Sequence, residues 1–255
     1  MGGRPNARRQ LAPARPQAER SNVQRSSNCI RSSASIDASS ISYALAALGP
    51  RPRRCNSMKH ITFPQFTGLR CLMMPYIQGD SGSVPEAYRP YAQILDSVFH
   101  KKGDIGHLTI DESITQPGQP HRGARAKYPR ALHTEAGRSI DVFSWGSTTR
   151  WGDNVNVTLD REARVLLANS IDDTCAIWNT IHEDTTNDGD IGHMAHLYPY
   201  ENAILMKAGD IHNIGILTPH ESLPIQQPTR RQFLRIVSNH VHGTAPYFTT
   251  NPLLK

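Results

Sequence analysis

The sequence predicts a mainly-β fold: an antiparallel sandwich, barrel or jelly roll. Short apolar runs recur with a period near two, and 18 glycines and 18 prolines punctuate them with turns. A single stretch has clear helical spacing, and strands do not alternate with helices as they would in a parallel α/β sheet.

In chain order, Cys71-Leu72-Met73-Met74 reads as a buried strand and Gly79-Asp80-Ser81-Gly82 as a turn. Ser83-Val84-Pro85-Glu86 has the form of a capping box, and Tyr91, Ile94, Leu95, Val98 and Phe99 then recur at helical spacing. Pro90 has no amide hydrogen to give a helix interior, so the expectation is one turn, a kink, and a main helix from about Pro90 to His100. Lys101-Lys102-Gly103 supplies a basic last turn and a glycine stop. Leu108, Ile110 and Ile114 alternate with polar residues as a strand, which Pro117-Gly118-Gln119-Pro120 ends before a loop from His121 to Pro129. Asn154 to Leu159 alternates strictly. Val165 to Ala168 and Thr174 to Trp178 are strand-like, although Arg161 to Ala168 also fits a helical turn. An acidic loop spans His182 to Gly192, and a strand with a tight turn covers Ala203 to Asp210. Gln232 to Ser238 is the last strand, before a tail, Thr249 to Lys255, suited to crossing a sheet edge.

The 255 residues have room for one large domain or two small ones. The net charge of +6 is unevenly spread: residues 1 to 57 hold ten arginines and only two acids, Glu19 and Asp37. The rest of the chain has slightly more acids than bases, so the folded part offers no nucleic-acid footprint. The first 57 residues, rich in Arg, Ser, Ala and Pro, lack the apolar surface to offset chain entropy and read as disordered. Their composition fits a mitochondrial or plastid transit peptide, or else Met58 opens the true chain. The expected location is intracellular, in the organelle if the segment is a transit peptide and the cytoplasm otherwise. No stretch reaches the ~20 apolar residues of a membrane span. Cys29, Cys55, Cys71 and Cys175 show neither a CxxC nor a disulfide framework. Phosphate-binding glycine loops and the GxSxG elbow are absent.

Histidines carry the chemical signal. Residues two apart on a strand share a face, so His133 and Glu135 present an imidazole and a carboxylate together. The third ligand must come from a distant strand, and His220, after Pro219 in a turn, is the candidate. Two histidines and a carboxylate on one face leave open positions for substrate and oxygen at Fe(II). Solvated loop pairs and turn caps are the bland alternatives for the same residues. Strand alternation puts Arg231 and Arg235 on one face and Arg230 on the other.

His133-Thr134-Glu135, then His220, then Arg230 or Arg231 resembles the HxD/E…H…R signature of the Fe(II)- and 2-oxoglutarate-dependent oxygenases. That resemblance implies a double-stranded β-helix, the cupin-like jelly roll, with His133, Glu135 and His220 as metal ligands. It implies that Arg231, or next Arg235, holds the far carboxylate of 2-oxoglutarate, with Ser222 among the cosubstrate-binding residues. A guanidinium suits that carboxylate because it offers a bidentate fork. A cupin reading uses Pro117 to His121 with His133 and Glu135 as a first motif and Gly209-Asp210-Ile211-His212 as a second.

The resulting expectation is a jelly-roll domain over residues 58–255. It would act as an Fe(II) oxygenase that uses 2-oxoglutarate to hydroxylate a small molecule or a side chain, with no nucleic-acid or membrane partner. The rivals are a cupin-like metalloenzyme without 2-oxoglutarate and a non-enzymatic jelly-roll binding protein. A chain beginning at Met58 is expected to keep the melting temperature of the full chain, followed by thermal unfolding; a large drop would show that the preceding segment docks.

Overall fold

Runs of β-branched and apolar residues at alternate positions build the longest strands and decide which side chains face inward. The computed structural model describes residues 57–120, 128–139, 142–145, 158–183, 189–242 and 247–254, all within the unit Leu48–Lys255. The Arg/Ser/Pro-rich stretch up to residue 56, most of the His121 to Pro129 loop and most of the alternating run Asn154 to Leu159 lie outside the described residues.

The main sheet has six strands, in spatial order Ser57–His60 (β1), Asp210–Gly215 (β10), Arg164–Asn169 (β7), Thr229–Val237 (β12), Ile105–Thr115 (β3) and Arg70–Ile77 (β2). A second sheet comprises His220–Ser222 (β11), Cys175–Ile177 (β8) and Ile204–Leu205 (β9). A third comprises Val241–His242 (β13), Thr158–Leu159 (β6), Val142–Trp145 (β5) and Ala136–Ser139 (β4). Every strand pairing within these sheets is antiparallel. The fold is therefore mainly β, and the ambiguous Arg161 to Ala168 stretch resolves as strand from Arg164 onward.

Alternation along β12 separates two cores. Leu234 and Ile236 pack with Leu108, Ile110, Ile94 and Leu95 beneath the helical segment. Phe233 and Val237 turn to the opposite face, where Val165 and Leu167 meet Cys175 and Ile177 of the second sheet and Met206 just after β9. The main sheet thus has one face under the helical segment and the other against β8 and β9.

The helical segment is shorter than its spacing predicts. A 3-10 turn spans Glu86–Tyr91 with Pro90 inside it, and a single α-turn covers Ala92–Leu95. Ser83 does not cap it: the Ser83 hydroxyl donates to the Asp80 and Ile77 carbonyls and accepts from the Ile77 amide, fixing the preceding turn to β2. Val98 still reaches the core, but through an irregular turn. At the tight turn before β10, Gly209 has φ 79°, and a Cβ there would meet the Ile61 carbonyl. Only glycine fits that close approach.

The C-terminal tail crosses a sheet edge, as expected. The edge strand β2 bulges between Cys71 and Met74, with Met73 at φ 49°. At that bulge the Leu72 amide donates to the Thr249 hydroxyl and the Thr249 amide donates to the Leu72 carbonyl. Asn251 is buried and donates to the Pro75 and Ser83 carbonyls. The strap covers the edge amides that would otherwise pair with another chain.

On the helix-side face, Glu112 clamps the segment before β2. Its carboxylate accepts from the Thr67, Gly68 and Leu69 amides, the Tyr91 hydroxyl and the Gln232 side chain. Burial raises its pKa, but these donors outweigh it and hold the group below its ordinary 4.5. A carboxylate with a depressed folded pKa contributes stability that is present above about 4.5 and lost as pH falls through the folded value. Glu112→Gln is expected to lower stability in urea at pH 7 by about 2 kcal/mol. The gap to wild type should close as the pH falls below 4.5 through the lowered folded value, and a gap independent of pH would rule out the clamp.

Candidate metal centre

His133, Glu135 and His220 converge. One potential ligand atom from each lies within 4.8 Å of the others, and all three residues are buried. Backbone pairing does this. His133 and His220 exchange two hydrogen bonds, His133 amide to His220 carbonyl at 3.0 Å and the reverse at 2.9 Å. Residues that exchange both bonds sit directly opposite one another, with side chains on the same face. Their rings lie 4.1 Å apart between centroids. The 132–134 segment is gripped from its other side too, since the Thr134 amide donates to the Gly189 carbonyl and the Ile191 amide to the Leu132 carbonyl. His220 lies on a strand, not in the turn that Pro219 suggests.

Hydrogen bonding orients both imidazoles. Nδ1 of His133 is 2.7 Å from the Ala131 carbonyl, and Nδ1 of His220 is 2.9 Å from the Thr218 carbonyl. A carbonyl only accepts, so both Nδ1 atoms are donors and Nε2 is the nitrogen left with the lone pair for a metal. Backbone carbonyls behind metal-ligating histidines commonly play this role. His220 Nε2 lies 3.2 Å from Glu135 Oε1, while Arg235 Nη1 holds Glu135 Oε2 at 3.1 Å. Arg235 also donates to Thr109 Oγ1 at 3.2 Å, which fixes the guanidinium on β12. Two imidazoles and one carboxylate oxygen facing each other fit a divalent transition metal, and an oxygen-only cage for calcium is not what they make.

Glu221, next to His220 and pointing the other way, anchors the site. Arg130 Nε and Nη2 both donate to Glu221 Oε2, at 2.9 and 2.6 Å, and the Ala131 amide reaches Oε1 at 3.2 Å. Arg130 also donates to the Ala195 and Tyr198 carbonyls and lies over the Tyr200 ring, 4.2 Å from its centroid. This network joins the chain just before His133 to the strand that carries His220. Nothing in the sequence spacing flags Arg130; only the juxtaposition of two distant segments does.

The second feature of the interior is Arg231, 1% exposed. Its Nη1 donates to Ser222 Oγ at 3.0 Å, and its Nη2 reaches the Thr174 carbonyl at 3.2 Å and Cys175 Sγ at 3.0 Å. Its Nε has no hydrogen-bond partner and no carboxylate pairs with the guanidinium among the described residues. Burial raises the Cys175 pKa against the pull of Arg231, so the thiol stays neutral and is not the missing anion. His220 and Ser222 are two apart on β11 and share a face. The Arg231 guanidinium therefore binds at Ser222, about 6.6 Å along the strand from His220 at ~3.3 Å per residue.

Other candidates fall elsewhere. Arg230 is exposed, over the Phe66 ring at 5.5 Å. His212 is buried on β10, outside the converging group. His121 lies outside the described residues, and Trp178, at the end of the strand-like run from Thr174, is a core residue whose indole donates to the Pro199 carbonyl. No helix among the described residues is long and apolar enough to cross a membrane.

Manganese(II) titration followed by electron paramagnetic resonance should show one site in the wild type. His133→Ala and His220→Ala should each weaken it by more than the ~10–100-fold typical of losing a partner behind a ligand, and unchanged affinity in both would exclude the site. No protein-family model, curated protein or solved structure matches this chain.

Proposed function

We propose that the chain is a non-haem Fe(II) oxygenase that uses 2-oxoglutarate to hydroxylate its substrate, on a jelly-roll scaffold. The observation that carries this reading is the fully buried guanidinium of Arg231, paired with no acid among the described residues, near the His133, Glu135 and His220 cluster. Removing a cation from water without a counter-charge costs several kcal/mol, so such a group calls for an anionic ligand. A five-carbon 2-oxo diacid has the right length. Its 2-oxo acid end would sit at the cluster and its far carboxylate about two strand residues along β11. The two antiparallel sheets packed face to face, with β11 and β12 adjacent in sequence, suit a jelly roll.

Each side chain has a defined task in this reading. His133, Glu135 and His220 would hold the metal, their orientation fixed by the Ala131 and Thr218 carbonyls and by Arg235. Arg231 binds the far carboxylate through its fork, and Ser222, bonded to Nη1, sets the plane of that fork. Arg235, although it faces the same interior, is committed to Glu135 and Thr109, which leaves the cosubstrate to Arg231. The apolar cluster of Val165, Leu167, Ile177 and Val237 excludes water. Iron, when bound, would supply the oxygen chemistry: oxidative decarboxylation of the 2-oxo acid coupled to hydroxylation of a C–H bond.

A purely structural network is the second reading, because Glu135 is already satisfied by Arg235 and His220. Titration of 2-oxoglutarate into the Fe(II)-loaded chain under anaerobic conditions separates the two. Arg231→Ala removes one side of a desolvated charge pair, typically ~2–5 kcal/mol, so affinity should fall roughly 30-fold or more while iron content is unchanged. Arg231→Lys should restore part of the loss, since an ammonium keeps the charge without the fork. Absence of 2-oxoglutarate binding by the wild type would end the oxygenase reading.

A further inference from the structure

The polar groups around Arg235 are more numerous than metal and cosubstrate require. His107 lies two residues before Thr109 on β3, on the same face. Its register partner on β12 is Val237, two residues beyond Arg235, so His107 and Arg235 are diagonal neighbours on the interior face. From the other direction, the C-terminal strap brings in Tyr247 and Phe248, both packed on the interior apolar cluster. Phe248 links the two: its ring centroid is 6.2 Å from His107 and 5.3 Å from Tyr247.

Among the described residues, neither His107 Nδ1 nor the Tyr247 hydroxyl has a hydrogen-bond partner, and both atoms are buried. A buried polar atom without a partner costs free energy comparable to a lost hydrogen bond, so each of these two atoms calls for a ligand group. Their charge states restrict it. Burial takes His107 down to about 4, so the imidazole is neutral at pH 7. Burial raises Tyr247 against the pull of Arg235, so the phenol is neutral as well.

We propose that His107 and Tyr247 bind the substrate of the metal centre, and that this substrate is a neutral molecule or side chain with an alcohol or amide group on an apolar body. The proposal rests on the oxygenase reading for what happens next to the bound group. Neutral donors and acceptors match a hydroxyl or amide, whereas a carboxylate, phosphate or ammonium would be stripped of water where Arg235 and Glu135 already offset each other. Phe233 and Phe248, partly buried in the same cluster, provide the apolar wall.

Four probes of similar shape test it: benzyl alcohol, benzamide, benzoate and benzylammonium, followed by saturation-transfer NMR on the full chain. The two neutral probes should bind, and the charged ones at least roughly tenfold more weakly. Tyr247→Phe keeps the ring and removes the hydroxyl. It should weaken the neutral probes about fivefold, the worth of one ordinary hydrogen bond, and His107→Phe should do the same. Loading with manganese(II) should broaden the resonances of the bound neutral probes. Equal binding of charged and neutral probes, or affinities unchanged in both variants, would overturn the proposal. So would binding without broadening in a chain shown by paramagnetic resonance to hold manganese. A chain that binds neutral probes but no manganese would instead refute the metal reading.

Discussion

The register of β12 against β3 is the constraint on which the interior depends. The two strands pair continuously from Thr229 opposite Thr115 to Val237 opposite His107. Within that ladder, odd-numbered residues of β12 face the second sheet and even-numbered ones the helical segment. A slip of one residue would exchange the faces, sending Arg231 and Arg235 into the apolar layer with Leu108 and Ile110. It would also move Gln232 away from Glu112. Because the same ladder fixes the carboxylate clamp on one face and both guanidiniums on the other, stability and site geometry cannot be altered independently there.

Buried charge is distributed in a way that packing does not explain. Glu112 is neutralised by hydrogen-bond donors, and Glu221 by the Arg130 fork and its aromatic bed. Glu135 meets Arg235. Arg231, equally buried, is met by a hydroxyl, a carbonyl and a neutral thiol. A fold selected for stability alone gains by replacing such a cation with an apolar residue of similar volume. That cation is bonded to Ser222, two residues along β11 from His220 of the histidine and carboxylate cluster.

Much of this was legible in the sequence, because strand alternation is a local property. The shared face of Arg231 and Arg235 follows from period two, whereas His133 and Glu135 converge without a strand between them: His133 makes isolated bridges and Glu135 sits at a bend. What was not legible depends on distant contacts. The helix from Pro90 to His100 shrinks to a 3-10 turn and one α-turn, since Ser83 spends its hydroxyl on β2 instead of capping. The role of Arg235 in holding Glu135, and of Arg130 in holding Glu221, requires segments 100 and 91 residues apart to meet. No local pattern encodes those meetings. β10 and β11 were missed as strands because glycine, proline and histidine dilute their apolar pattern.

The strap at Thr249 also bears on how the chain folds. Its hydrogen bonds to Leu72 join positions 177 apart in sequence, among the most non-local contacts a chain of this length can make. Such contacts form late, after loop closure has been overcome by nearer pairings. During synthesis β2 therefore emerges long before its cover, and its bulged edge stays open until Thr249 to Asn251 have been made. The positive φ of Met73 disrupts that edge in the meantime, making it a poor template for a second chain. The bulge that later receives the strap thus protects the nascent protein from sticking to its neighbours.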